Sequence, residues 1–330
     1  MLRQPKAGPT LRDVAAAAGV SVWTVSNAYS NAAKVSEAAR QRVFDAAAAI
    51  GYLGPHPGAR SLARGRTGVV AFVAPGDSEA LLGDPAAALV ARGLLTACHR
   101  AGHSMLLSGQ AAGEMVDGRV FFREVAVTDR PVPTIVVDGE GGPGITAVRA
   151  DVRGAARAVA GHLHDLGHRH IAVLAWREAD ERLAGVSEGW DPDSPPPQVF
   201  ALDVDRNRLA PPQEGRVGPA PAAGEALARA ALARHPRPTA LLALSDTLAM
   251  SALHVANWMR LDVPGDLSVA GIDDLPGSDA AGLTSALVPY RPLGERAGDL
   301  LMALLEGEEP DPFPDIPTSL AIRRSTGPPP

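Results

Sequence analysis

The sequence predicts an α/β protein that carries a small all-α head, and three observations lead there. Charge is split along the 330 residues. Residues 1–66 hold nine basic side chains (Arg3, Lys6, Arg12, Lys34, Arg40, Arg42, Arg60, Arg64, Arg66) and three acidic ones (Asp13, Glu37, Asp45), a balance of +6 in a chain of net −6, so the rest stands at −12. The head shows helical apolar spacing broken by one glycine turn, and from Gly68 onward short apolar runs alternate with helix-length segments. A basic head on an acidic body points to a polyanion as the head's partner. With 46% hydrophobic and 21% charged residues the composition is that of a globular chain, not a disordered one. The single cysteine, Cys98, excludes an internal disulfide framework and a cysteine-built zinc site, and suits a reducing cytoplasm. Met1-Leu2-Arg3-Gln4-Pro5-Lys6 has no apolar stretch behind its charges and does not read as a signal peptide. Residues 14–33 carry no charge, but Ser, Asn, Thr and Gly interrupt them too often for a membrane span.

In the head, Thr10 can cap a helix with Asp13 in its first turn, and Leu11, Val14, Ala15 and Ala18 follow at helical spacing. Ala18-Gly19-Val20-Ser21 reads as a tight turn, with Gly19 free to take a positive φ and Ser21 as a second cap. A second helix over about 22–29 sorts into faces. Val25 and Tyr29 point inward, while Val22 with Ser26 and Trp23 with Asn27 form adjacent i, i+4 pairs on a recognition side. A third helix runs from its cap Ser36 to about Ile50, with Val43, Phe44, Ala47 and Ile50 as its stripe, Gly51 as its stop and Arg40 and Arg42 within reach of phosphates. Two short helices across a glycine turn form a helix-turn-helix pattern.

Thr10-Leu11-Arg12-Asp13-Val14-Ala15, Ala18-Gly19-Val20-Ser21 and Thr24-Val25-Ser26, followed by Val35-Ser36, Ile50-Gly51-Tyr52 and Pro57-Gly58-Ala59-Arg60-Ser61-Leu62, are dense and collinear. This stretch resembles the headpiece of the lactose-repressor (LacI/GalR) family of bacterial transcription regulators. The resemblance implies a homodimer on a pseudo-palindromic double-stranded operator. DNA contacts would come from Leu11, Ser21, Val22, Trp23, Ser26, Asn27, Ser30, Lys34, Ser36 and Tyr52 of the headpiece. It also implies a hinge helix in which Ala59, Arg60 and above all Leu62 enter the minor groove, an apolar wedge that unstacks a base step. Alone, Leu62 would read as a linker leucine. The family usually places polar residues, often with an arginine, where this chain has Val22, Trp23 and Asn27. Asn can pair bidentately with adenine, Val and Trp can meet a thymine methyl, and no arginine is present there for guanine.

The body begins with a strand over about 68–73, a helix over about 85–101 and a strand over about 103–107. Further strands are read at 120–122, 134–137, 170–174, 240–244 and 267–272, with a helix at about 153–166. Continuous apolar strands between helices mean parallel sheets covered on both faces. Asp151 to Arg169, Ser245-Asp246, Val263-Pro264, Gly271-Ile272-Asp273-Asp274, Leu283-Thr284-Ser285 and Ile322-Arg323 extend the same resemblance. It implies a two-lobed periplasmic-binding-protein-like domain with a small carbohydrate- or nucleoside-like effector in the cleft. By position Asp151, Arg182, Asp246, Asp273 and Tyr290 match pocket residues, a donor set suited to hydroxyl-rich ligands. Asp246 reads equally as a helix cap and Asp273 as a loop support. The organisation expected is a headpiece at 1–56, a hinge helix and linker at 57–66, and an effector and dimerisation domain at 67–330 with lobe crossings near 163, 288 and 318. The body also reads as shortened. There is little room for a helix at 110–117, the 123–130 stretch is brief, 190–197 is too proline-rich for a helix, and 205–221 is rich in Pro and Gly. Missing helices would expose sheet or thin the pocket wall.

Three motifs compete with this reading. Gly139-Glu140-Gly141-Gly142-Pro143-Gly144 fits a dinucleotide fingerprint, but Pro143 and Ile145-Thr146-Ala147-Val148 do not open a helix. Gly185-Val186-Ser187-Glu188-Gly189 fits a nucleophile elbow, but no strand precedes it. His162, His164, His168 and His170 suggest a metal by count, yet only His164 and His168 share a helical face and no carboxylate sits at ligand spacing. Cys98 reads as core. The sequence therefore predicts an effector-responsive repressor with no catalytic residue, metal, cofactor or membrane contact. The alternatives are a DNA-binding regulator with a degenerate cleft and, more remotely, a Rossmann-like enzyme.

Overall fold

The computed structural model describes residues 9–30, 32–54, 66–73, 83–108, 115–125, 131–176, 181–201, 221–309 and 314–330. The chain divides into two compact units, Met1–Gly68 and Val69–Pro330.

The first unit holds α1 (Leu11–Ala18), α2 (Val22–Ser30), a 3-10 turn (Ala32–Lys34) and α3 (Glu37–Ala49). Thr10 and Asp13 close a reciprocal capping box at the start of α1, and Gly19 ends it at φ 64°, the left-handed turn that sets α2 across α1. Ser36 caps α3. Val14, Val25 and Val43 are fully buried with Ala15, Ala28 and Ala47, a core small enough to need all three helices. Tyr29 packs edge-on to Phe44 and Tyr52, at 5.1 and 5.9 Å between ring centres.

The second unit is built on two sheets. The first contains β1 (Val69–Val73), β2 (Ser104–Ser108), β3 (Gly118–Phe122), β4 (Thr134–Val137) and β5 (Ile145–Val148), ordered β2-β1-β3-β4-β5 and parallel throughout. Helix α4 (Pro85–Arg100) lies on this sheet, capped by Asp84. Then α5 (Val152–Asp165), β6 (Ile171–Ala175), α6 (Glu181–Gly189), β7 (Gln198–Ala201), α7 (Pro221–Leu232), β8 (Ala240–Ala243) and α8 (Asp246–Trp258) follow. The chain continues with β9 (Ser268–Asp273), α9 (Ser278–Ala281), β10 (Thr284–Leu287), α10 (Tyr290–Glu306) and β11 (Ser319–Ala321). The second sheet runs β11-β10-β9-β8-β6-β7, with β11 alone antiparallel. Helix α10 returns to the first sheet and packs along α4. That crossing is close: a Cβ on Gly93 would lie 2.1 Å from the Arg291 carbonyl, and one on Gly294 would lie 2.0 Å from that of Val90.

One expectation needs correction. The first lobe crossing falls at 149–151 and not near 163, because β5 still belongs to the first sheet while α5 packs on the second. Helix α6 ends at Gly189, and 190–197 is non-helical, as its prolines require. Along β2, Ser104 and Leu106 are exposed, so this edge of the first sheet is open to solvent. Of the stretches read as shortened or irregular, 110–117, 123–130 and 205–221, residues 110–114, 126–130 and 205–220 lie outside the described residues.

Candidate functional site

The head presents α2 outward. Ser21 caps it, its hydroxyl 2.9 Å from that of Thr24 and accepting from the Thr24 amide. Val22 and Trp23 project from its first turn, Trp23 at 61% exposure, and Ser26 is exposed beside them. Asn27 folds back to donate to the Trp23 carbonyl at 2.8 Å, and the Ser30 hydroxyl donates to the Ser26 carbonyl at 2.8 Å. Lys34 and Ser36 are exposed at the turn and the α3 cap, while Leu11 and Tyr52 rest on the head's core. Arg40 lies over the Phe44 ring and faces Glu37, whereas Arg42 is exposed. Ala59, Arg60 and Leu62 lie outside the described residues.

In the body, three of the residues singled out from sequence meet where strands end. Tyr290 opens α10 at the return to the first lobe and donates its hydroxyl to Asp273 at 2.8 Å. Arg182 of α6 stands 3.6 Å from the same carboxylate and 3.5 Å from the Tyr290 oxygen. Burial pushes the Asp273 carboxyl up to about 7, against the pull of Arg182, with Asp246 adding to the rise. The Tyr290 hydroxyl is raised well above its usual range, again by burial first.

Asp246 is buried too, but its carboxylate is spent on the chain itself. It accepts from the Leu275 amide and from the hydroxyls of Ser278 and Ser285, so it ties β10 and the segment between β9 and β10 to α8. Ser245, not Asp246, is the cap of α8. Asp151 joins neither group: it caps α5 through the Gly154 amide at 2.7 Å, and its backbone is fastened to Ile316 and Thr318 at the crossover.

Sequence reasoning missed Arg123, Asp138 and Asp84. Arg123 follows β3 at φ 67° and Asp138 follows β4 at φ 55°. The Arg123 guanidinium bonds Asp138 at 3.0 Å and Asp84 at 2.9 Å and lies on the Phe122 ring. Burial opposes its charge, but the two carboxylates more than offset that and hold it firmly protonated. The signal was available, since Arg123 and Asp138 each directly end an apolar strand, where ligands of open α/β sheets bind. Nearby, a cavity of about 590 Å³ opens between Pro85 of α4 and Asp246, Thr247, Met250, Leu275 and Ser278.

The competing motifs resolve structurally. Gly139–Gly144 leads into β5, a strand, so no helix N-terminus faces it. Gly185 and Gly189 lie in α6 against the carbonyls of Arg153 and Arg157, and Ser187 donates to the Leu183 carbonyl, so the spacing is that of a helix contact. His164 and His168 do not share a face. His164 packs on Trp190, while His168 lies beyond α5, fully buried between Thr239, Ser268 and the Gly327 carbonyl. Among the described residues no group of His, Cys, Asp or Glu could hold a metal ion. None of their helices is long and apolar enough to cross a membrane.

Comparison with known proteins decides the family. Residues 10–54 match the family model for bacterial regulatory proteins of the lacI family, and 160–326 match a periplasmic binding protein-like domain. An HTH-type transcriptional regulator of Mycobacterium tuberculosis is 31% identical over 98% of this chain and 99% of its own. The chain belongs to the lacI family of bacterial regulatory proteins. This lacI-family member is a DNA-binding transcriptional regulator. The HTH-type transcriptional repressor CytR of Escherichia coli is 28% identical, covering 93% of this chain and 92% of its own. The lac repressor dimer bound to operator shares the fold at a TM-score of 0.79 and 24% identity, over 97% of this chain and all of that one. A transcriptional regulator CelR–cellobiose complex matches at a TM-score of 0.63 and 27% identity, over 96% of this chain and 99% of that one.

Asp273 gives this regulator a pH signature. Its carboxyl holds a proton in the fold up to about 7, while the unfolded chain loses it near 3.8. The folded state thus binds more protons between those values, and stability contributed by Asp273 falls as pH rises through that window. Denaturant titrations from pH 4 to 8 should show that decline, and Asp273→Asn should reduce it, leaving the part due to Asp246, whose carboxyl is also raised by burial. An unchanged slope in the variant would assign the decline to another group.

Proposed function

We propose that the protein is a cytoplasmic homodimeric repressor, not an enzyme. It binds a pseudo-palindromic operator through its headpieces and releases or grips it according to an uncharged, hydroxyl-rich effector between its lobes. The observation that carries the effector reading is the buried meeting of Arg182, Asp273 and Tyr290 from the second lobe and α10, with Arg123 and Asp138 at the strand ends of the first. Arg123 faces the carboxylates of Asp84 and Asp138, and Arg182 faces Asp273, which ionises from about 7, so above that pH an anionic ligand gains little Coulomb energy. Hydroxyls can share the directional donors and acceptors without a charge penalty. Cellobiose on the CelR relative accords with that chemistry. The reading also extends to Asp151 and Asp246 as supports of the pocket wall. The hinge roles of Ala59, Arg60 and Leu62 belong to it as well.

A neutral sugar or nucleoside should raise thermal stability, because a ligand that prefers the native state stabilises it. Sugar phosphates and sugar acids should not. The effector acts only through different affinities for DNA-competent and DNA-incompetent states, so operator and effector must shift each other equally. Leu62→Ala should lower operator affinity and spare effector binding, and Asp273→Ala should do the reverse. Calorimetric titration of the effector with and without operator checks this. Equal effector affinity in both would refute the coupling and favour a regulator whose cleft is closed by its own ion pairs.

A further inference from the structure

The geometry points to base reading by methyl contact: Val22 and Trp23 of α2 recognise the C5-methyl groups of thymines in the operator's major groove. The inference rests on the operator-binding reading above and names the chemistry of that recognition. It stands on how α2 spends its side chains. Val22 and Trp23 are neighbours on the first turn, 42% and 61% exposed, and neither belongs to the head's core, which Val14, Val25 and Val43 fill. The polar side chains around them are turned inward on the helix itself. Ser21 and Thr24 bond each other, Asn27 donates to the Trp23 carbonyl, and Ser30 donates to that of Ser26. The sequence Val22–Ser30 has no charged residue. Ser26 is left as an exposed hydroxyl, too short for a two-bond fork to a base.

A surface of this kind lacks the cationic two-bond donor that makes the commonest contact to guanine O6 and N7. What it offers the groove is apolar area, and the apolar feature of a base pair in the major groove is the thymine methyl. Phosphate anchoring then falls to residues outside α2, of which Arg42 on α3 is exposed. The Asn27 bond to the Trp23 carbonyl makes Asn27 a positioning residue that steadies the turn bearing the indole.

The test uses the full chain and a duplex obtained by selection from a random library. Thymines of the selected half-site are replaced one at a time by deoxyuridine, which removes the methyl and keeps every hydrogen bond. Wild type should lose roughly four-fold in affinity at each of the contacted thymines, the worth of one carbon group taken out of water. Trp23→Ala should bind more weakly and lose the distinction between thymine and uracil at one position, and Val22→Ala at the neighbouring one. Both side chains are exposed, so these variants keep the head's core. Asn27→Ala should retain the distinction at reduced overall affinity. Equal binding of the thymine and uracil duplexes by wild type overturns the inference while leaving operator recognition intact. A distinction that survives in both Trp23→Ala and Val22→Ala overturns it as well. Selection that returns no preferred sequence sinks the operator reading and this inference together.

Discussion

Deleting residues 1–66 should abolish DNA binding, and the remaining 67–330 should show none at any salt concentration. The segment removed carries the +6 balance and the remainder carries −12, so the body meets a phosphate backbone with repulsion. For the full chain, each neutralised phosphate releases counterions. If about six phosphates are engaged per head, log K should fall against log salt with a slope near −5 for each head. Arg42→Ala should weaken all duplexes alike and reduce that slope by about 1. Arg40→Ala should do less, because Arg40 already lies over Phe44 and faces Glu37. Gel shifts of the full and truncated chains across a salt series read all of this. Retention of DNA by the isolated body would overturn the assignment of binding to the head.

The head was legible because every decisive signal in it is local. A capping box, a left-handed glycine and an i, i+4 stripe each fix backbone within a few residues, and Thr10, Gly19 and Ser36 do what their types dictate. The parallel strands were legible for the same reason, as unbroken apolar runs. Strands β5, β7 and β10 were not; β10 opens on Thr284 and Ser285, so it shows no unbroken apolar run although it is buried. Ile145–Val148 and Gln198–Ala201 lie at sheet edges and are mostly half-buried or exposed, so their residues lack the apolar run that marks a central strand. The cleft was partly legible. Arg182, Asp273 and Tyr290 were named from family position and do meet, but their meeting joins residues as far as 108 positions apart, which no spacing encodes. Asp246 and Asp151 were named by the same positional reasoning, yet their carboxylates are consumed by hydroxyls and amides of the chain. A sequence does not distinguish a carboxylate spent on its own fold from one offered to a ligand.

A large expected stability effect separates two glycines on one helix pair. Gly185→Ala should destabilise the second lobe by on the order of 3 kcal/mol, because its Cβ would lie 2.1 Å from the Arg153 carbonyl oxygen of α5. That oxygen belongs to a helix backbone and cannot turn aside like the end of a side chain, so α6 must move away. At a domain of this size the loss corresponds to a drop in Tm of about 6–12 °C. Gly161→Ala, on α5 in the same contact, should do the opposite. Its Cβ would find only the Gly189 carbonyl at 3.8 Å, an ordinary contact. The exchange then keeps the gain of up to about 1 kcal/mol that alanine brings to a helix interior. Under the proposed effector binding, the contrast reaches function through Arg182. It sits one turn before Gly185 on the buried face of α6, and its reach to Asp273 is 3.6 Å. A displaced α6 carries the guanidinium off that carboxylate, so Gly185→Ala should lose effector affinity below its own melting transition while Gly161→Ala keeps it. Calorimetric melting with effector titration at a temperature where both variants are folded measures the two consequences separately. If Gly185→Ala matched Gly161→Ala in Tm, the close α5–α6 packing would be wrong; if it lost stability but bound effector normally, Arg182 would not be part of the pocket.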